Sequence, residues 1–172
     1  MDVETRQVAV TIRYGALEPL GQTDLTITCD DQIVLSEEVD LAKSGEIQRT
    51  LELAEAELWS PEAPNLHQLH VRLGEDDRRE RIGIRQVSVQ GQQICINGKP
   101  VRLLGFCRHE THPQFGCALP EALLVEDVQR LRDLGCNFVR GSHYPQDLRF
   151  LDLCDEVGIC VWNEAIGWQH GP

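Results

Sequence analysis

Between residues 7 and 85, apolar and polar side chains alternate in short runs. These are Val8-Ala9-Val10-Thr11-Ile12, Leu25-Thr26-Ile27-Thr28-Cys29, Ile33-Val34-Leu35, Ile47 to Leu53 and Leu66 to Leu73. A period of two sends one face of each run into a core and the other into water, so each is predicted to be a half-buried strand. Asp30-Asp31, Lys43-Ser44-Gly45 and Glu75-Asp76-Asp77 supply the turns between them. Short strands at this spacing predict an antiparallel sandwich of immunoglobulin type. Between the fourth and fifth runs, Leu58-Trp59-Ser60-Pro61-Glu62-Ala63-Pro64-Asn65-Leu66 carries two prolines that bracket a rigid crossing segment.

Beyond residue 86 the pattern changes. Ile94 to Gly105 reads as a hairpin, because Asn97-Gly98 suits a type I′ turn between apolar strands. Strands and helices then alternate. Leu103 to Phe106 is predicted as a short buried strand, and Pro120 to Leu134 as a helix with Leu124, Val128 and Leu131 on one face and Gly135 after its end. Cys136 to Val139 is the next strand. Gln146 to Val157 is the next helix, with Leu148, Leu151 and Cys154 on its apolar face and Gly158 closing it, and Ile159 to Trp162 is the last strand. Three strands joined by helical crossovers must pair in parallel. The expected domains are therefore residues 1–86 and 87–172.

Composition narrows the function classes. The chain has 172 residues, 41% of them hydrophobic, which suits a globular protein. It has no run of about 18 apolar residues, and Met1-Asp2-Val3-Glu4-Thr5 lacks the basic and apolar regions of an export signal, so no membrane partner is expected. A net charge of -12 disfavours nucleic acid. The seven cysteines are odd in number, show no Cys-x-x-Cys spacing and mostly sit among apolar residues. Buried free thiols, and with them a cytoplasmic location, are the expectation.

Candidate chemistry concentrates in Asn137-Phe138-Val139-Arg140-Gly141-Ser142-His143-Tyr144-Pro145. An apolar strand here delivers several polar groups to its carboxyl end, where ligands gather in α/β folds. With Asp155-Glu156-Val157-Gly158 behind it, this stretch closely resembles the signature of glycoside hydrolase family 2, the β-galactosidase, β-glucuronidase and β-mannosidase family. That signature runs Asn-x-x-Arg-x-Ser-His-Tyr-Pro and then Asp-x-x-Gly. The Leu58 to Leu66 segment likewise resembles the Leu-Trp-Ser-Pro-x-x-Pro-x-Leu-Tyr motif of the family's middle sandwich, with His67 where Tyr is usual. Gly83-Ile84-Arg85 before Asn97-Gly98-Lys99-Pro100 resembles its junction, with Ile84 in place of Phe.

The resemblance implies an immunoglobulin-like sandwich followed by the first part of a TIM (β/α)8 barrel. A whole barrel takes typically ~250 residues, so the chain is expected to be a central fragment. It further implies a retaining β-glycosidase, β-galactosidase-like, acting on terminal β-linked sugars. The alternative is a catalytically inactive truncated module that binds or scaffolds. Neither catalytic glutamate of the family falls within residues 1–172. Glu164 follows Asn163, as the family's acid follows an Asn, but its context matches a different position, with a supporting or rim role.

Phe106-Cys107-Arg108-His109-Glu110-Thr111-His112-Pro113 resembles the loop after the first barrel strand, with Cys107 replacing Asn. By that likeness His109 lines the sugar subsite; a loop histidine bonded to backbone is the plainer reading. His143 is expected to contact sugar hydroxyls, and Arg140 either contacts sugar or holds a carboxylate inside the barrel. The spacing of His109 and His112 is too weak a signal for a metal pair. Asn163 to Gly171 aligns with the magnesium-binding stretch of related β-galactosidases, in which a Glu and a His bind the ion. Trp168 stands at the Glu position and His170 at the His, and an indole cannot ligate a hard cation. No cofactor or metal is therefore expected, and Trp168 becomes a candidate stacking wall for a sugar or a packing residue. A carbohydrate is the expected partner, with homo-oligomerisation possible in the full-length enzyme.

Overall fold

The computed structural model describes residues 3–165. It divides into two compact units, one running to Leu58 and resuming over Asn65–Val87, the other comprising Trp59–Pro64 and the chain from Ser88. No helix among the described residues is long and apolar enough to cross a membrane.

The first unit is all β. Its strands are β1 (Gln7–Gly15), β2 (Gly21–Cys29), β3 (Gln32–Leu41), β4 (Ser44–Glu52), β5 (His67–Leu73) and β6 (Asp76–Ile82). β1 pairs with β4, and the other four form a sheet in the order β3-β2-β5-β6, all antiparallel. Alternation places Leu25, Ile27 and Cys29 of β2 and Leu69 of β5 on one face, where they pack with Ile47 and Leu51 of β4 in a single buried cluster. This is the sandwich that the hydrophobic pattern requires.

Three expectations need correction here. β6 was not predicted, because Asp76-Asp77-Arg78-Arg79-Glu80-Arg81 is charged throughout and nearly all exposed. It lies at the sheet edge among the described residues, where charge deters further pairing and alternation has no core to report. The turn before it therefore moves back to Gly74 and Glu75, with Gly74 at φ 62°. Ile33 is exposed, so its run reports the strand and not the burial.

The second unit opens on β7 (Val87–Gln90), β8 (Gln93–Ile96) and β9 (Lys99–Pro100), which form one sheet in that order. Asn97 and Gly98 turn β8 into β9 with φ of 52° and 74°, the paired positive values of a type I′ turn. There follow β10 (Gly105–Arg108), α1 (Glu121–Asp133), β11 (Phe138–Gly141), α2 (Leu148–Val157) and β12 (Cys160–Asn163). The strands pair in parallel in the order β10-β11-β12, the start of a TIM barrel. Leu124, Val128 and Leu131 of α1 meet Val139 of β11 and Phe150 and Cys154 of α2 in a second buried cluster. Leu148, expected on the buried face of α2, is exposed; Phe150 and Cys154, four apart, take that role. The first barrel strand also lies two residues later than expected and is exposed except for Arg108 at its end, with Leu104 and Phe106 open on its flank.

Trp59–Pro64 is an insertion into this second unit. Trp59 is fully buried, its Nε1 donates to the Asp155 carbonyl at 2.8 Å, and its own carbonyl accepts from Asn97 Nδ2 at 3.0 Å. Gly158, at φ 79°, ends α2 beneath the same segment, where a β-carbon would lie 2.3 Å from the Pro61 carbonyl oxygen.

Candidate functional site

The parallel sheet separates two sets of polar residues by parity. Val139 points to the helices, so its neighbour Arg140 points to the opposite face, in register with Cys107 on β10 and Trp162 on β12. Glu164, two residues past Trp162, returns to that face. Arg140 Nε donates to Glu164 Oε1 at 2.7 Å, and its Nη1 lies 3.7 Å from Cys107 Sγ. His143 Nδ1 lies 3.2 Å from Glu164 Oε2 and 3.3 Å from Arg140 Nη2. A guanidinium only donates and a carboxylate only accepts, so one ring nitrogen serves one of them at a time. With a proton on Nδ1 His143 donates to Glu164; with the proton on Nε2 it accepts from Arg140. The His109 ring stands edge-on to His143, with centroids 5.4 Å apart.

The structure thus brings three of the four expected site residues, His109, Arg140 and His143, to one place at the carboxyl ends of the strands. Trp168, the fourth, and His170 lie outside the described residues. Arg140 pairs with one carboxylate here, that of Glu164. The Arg140 guanidinium, and after it His143, hold the Glu164 carboxyl below the usual glutamate range. Glu164 is consequently an anion at neutral pH and ill suited to donate a proton. His112 is engaged locally: its Nδ1 accepts from the Gln114 backbone N–H at 3.2 Å, and its ring tilts onto Phe115.

The other parity row carries a second polar network that the sequence motifs do not mark. Arg108 is buried over the ring of Phe150, 4.0 Å from its centroid. Its guanidinium reaches Glu110 at 3.0 Å, Gln146 at 2.8 Å and Asp127 of α1 at 3.0 Å. The buried Glu110 carboxylate accepts from the Asp147 N–H at 3.1 and 3.2 Å, at the positive end of α2. Tyr144 Oη accepts from the Glu110 N–H at 2.8 Å, and Asn163 Oδ1 accepts from the Gln146 N–H at 2.9 Å. Gly141 is required beneath this network, because a β-carbon there would lie 2.5 Å from Gln146 Cγ. The loops carrying His109, His143 and Glu164 are therefore tied to one buried frame. Arg108 and Glu110 flank His109 two residues apart, and that alternation was the available signal for a shared face opposite the histidine.

The cysteines divide. Cys29, Cys95, Cys136 and Cys154 are buried free thiols, and burial pushes Cys154 up to about 12. Cys107 and Cys117 are exposed, contrary to expectation, because both sit on loop or strand-end positions that the sheet does not cover.

Comparison with known proteins gives this geometry its family. Residues 2–85 match the model described as glycosyl hydrolases family 2, and residues 87–172 match glycosyl hydrolases family 2, TIM barrel domain. A β-galactosidase of Thermoanaerobacter pseudethanolicus is 39% identical over 132 residues, covering 73% of this chain and 18% of that protein. The solved structure of a β-galacturonidase of Eisenbergiella tayi, bound to galacturonate, superimposes with a TM-score of 0.81 at 37% identity, covering 92% of this chain and 29% of that one. A β-glucuronidase of Parabacteroides merdae gives a TM-score of 0.81 at 27% identity over 92% of this chain and 21% of its own. The chain thus spans less than a third of the length of these relatives. In sequence and in fold alike, the chain belongs to glycosyl hydrolase family 2.

Proposed function

We propose that the chain forms the central segment of a retaining β-glycosidase and supplies the part of its sugar subsite made by the first three barrel strands. The observation that carries this reading is the cluster of His109, His143, Arg140 and Glu164 at the carboxyl ends of β10 to β12. Neighbouring imidazoles donate to and accept from sugar hydroxyls, and such bonds contribute most when they strengthen in the transition state. Arg140 orients Glu164, and Glu164 in turn orients His143. The relatives act on neutral and acidic β-linked sugars by their names, a β-galactosidase and a β-galacturonidase among them. A terminal β-galactoside or its uronide is the substrate class proposed here.

Retention needs two carboxyl groups about 5–5.5 Å apart, one as acid and one as nucleophile. Glu164 is held anionic by Arg140, and Glu110 is buried among donors on the helix side, so neither fills those roles. The isolated chain therefore binds sugar without cleaving it. Incubation with aryl β-galactoside, β-galacturonide and β-glucuronide should release no aglycone above the buffer rate, while galactose or galacturonate shifts the His109 and His143 ring signals in NMR. Turnover that disappears in His143→Ala would refute the inactivity. Sugars that move no signal in the cluster would refute the subsite and leave a scaffold module.

A further inference from the structure

The apolar row of β2 ends in a polar corner. Leu25, Ile27 and Cys29 share the core face, and across the sheet His67 lies one step beyond Leu69, also buried. The β2–β3 turn begins at Asp30 with φ 49° and brings the Asp30 carboxylate back over that end. Ligand-capable atoms of Cys29, Asp30 and His67 all lie within 4.8 Å of one another.

Hydrogen bonding fixes what this corner can hold. His67 Nε2 is 2.9 Å from the Glu57 carbonyl oxygen, which only accepts, so Nε2 carries a proton. Nδ1 faces Asp30 Oδ2 at 2.6 Å, and a lone pair cannot face a carboxylate so closely without a proton between them, the proton that a metal ion would replace. The orienting bond from the far nitrogen to a backbone carbonyl is the arrangement found behind metal-bound histidines. Thiolate, imidazole and carboxylate together suit a borderline-soft divalent ion better than magnesium or calcium.

We propose that Cys29, Asp30 and His67 form a cation site of the Zn²⁺ class in the sandwich unit, separate from the sugar cluster. Binding replaces the Cys29 thiol proton and the proton shared by His67 Nδ1 and Asp30, so two protons pass to solvent for each ion bound. Tetrahedral bonds near 2.0–2.3 Å need the Nδ1 to Oδ2 gap to open to about 3.3 Å. Asp30 permits this by pivoting about Oδ1, which accepts from the Gln68 N–H at 2.8 Å, since its side chain is half exposed at a turn. Solvent on that side supplies the fourth ligand.

The test uses the purified chain after chelation. Co²⁺ should give one equivalent of tetrahedral d–d absorption with a thiolate charge-transfer band, and Zn²⁺ should displace it. Calorimetry in buffers of differing ionisation enthalpy should count two protons released per Zn²⁺. Cys29→Ser should abolish the charge-transfer band, Asp30→Asn should weaken Zn²⁺ binding at least about tenfold, and Cys117→Ser should change neither. Absence of a thiolate band, or a band that survives Cys29→Ser, overturns the proposal. If Cys29→Ser fails to fold, the exposed Asp30→Asn variant and the proton count decide: unchanged affinity or no proton release overturns it.

Discussion

Arg108 keeps its charge in a buried position because Glu110, Asp127 and Gln146 together satisfy its donors while Phe150 covers its face. Removing it leaves the buried Glu110 carboxylate short of its cation. Arg108→Ala should therefore destabilise the second unit by about 3–5 kcal/mol, read as a shift in the urea midpoint of a probe in α1 or α2; a loss below about 1 kcal/mol would mean that the network is solvated. Glu164 makes a different prediction, in pH. Its carboxyl is held low by Arg140 and then His143, so the folded group ionises below the pKa of an unfolded glutamate. The stabilisation is fully present above that unfolded value, roughly pH 4.3, and is lost as pH falls through the lower folded value. A carboxyl-carbon NMR titration should give a Glu164 midpoint below the ordinary one and move it back up in Arg140→Gln.

At the scale of elements, the sequence was legible where a core imposes a period. The sandwich strands, α1 with Leu124, Val128 and Leu131, and the Asn97-Gly98 turn follow from alternation, helical spacing and positive φ. The charged edge strand β6 was not legible, since no core face marks it. The parallel strands start one or two residues later than their apolar runs, because pairing runs on into residues that serve the site, Arg108, Arg140 and Asn163 among them. The site was half legible: Arg140 and His143 stood in one motif, whereas the Arg108 to Gln146 bond joins residues 38 positions apart, which spacing alone cannot reveal. Gly158 shows how an element's end is fixed by a distant segment. Gly158→Ala would adopt a left-handed conformation and press its methyl group on the Pro61 carbonyl. The first effect alone costs about 1–2 kcal/mol, so we expect the loss to exceed that in thermal unfolding; a variant as stable as the parent would show that Pro61 yields freely.

For the whole molecule, the two units should differ in how firmly they are held. β2 to β5 all contribute to one buried cluster, with residues of β1 and β6 packed against it, whereas among the described residues β10 and β12 are each paired on one side only, and Phe106 and Trp162 are more than half exposed beside them. Unpaired edges and open apolar surface favour local opening and self-association. Amide exchange should be slowest at Leu25 to Cys29 and markedly faster in β10 and β12, with light scattering rising as concentration rises. Uniform protection through residue 163 and one sharp unfolding transition would contradict this. The tryptophan of the crossing segment sets one more condition. Trp59 is bonded to Asp155 across 96 residues of chain, so the barrel portion owns a piece of sequence that lies inside the other unit's stretch. Gene surgery between codons 85 and 87, where the two family matches part, would strand that piece on the wrong side. A transplanted barrel segment keeps its indole only if its donor DNA reaches back past the codon for Trp59.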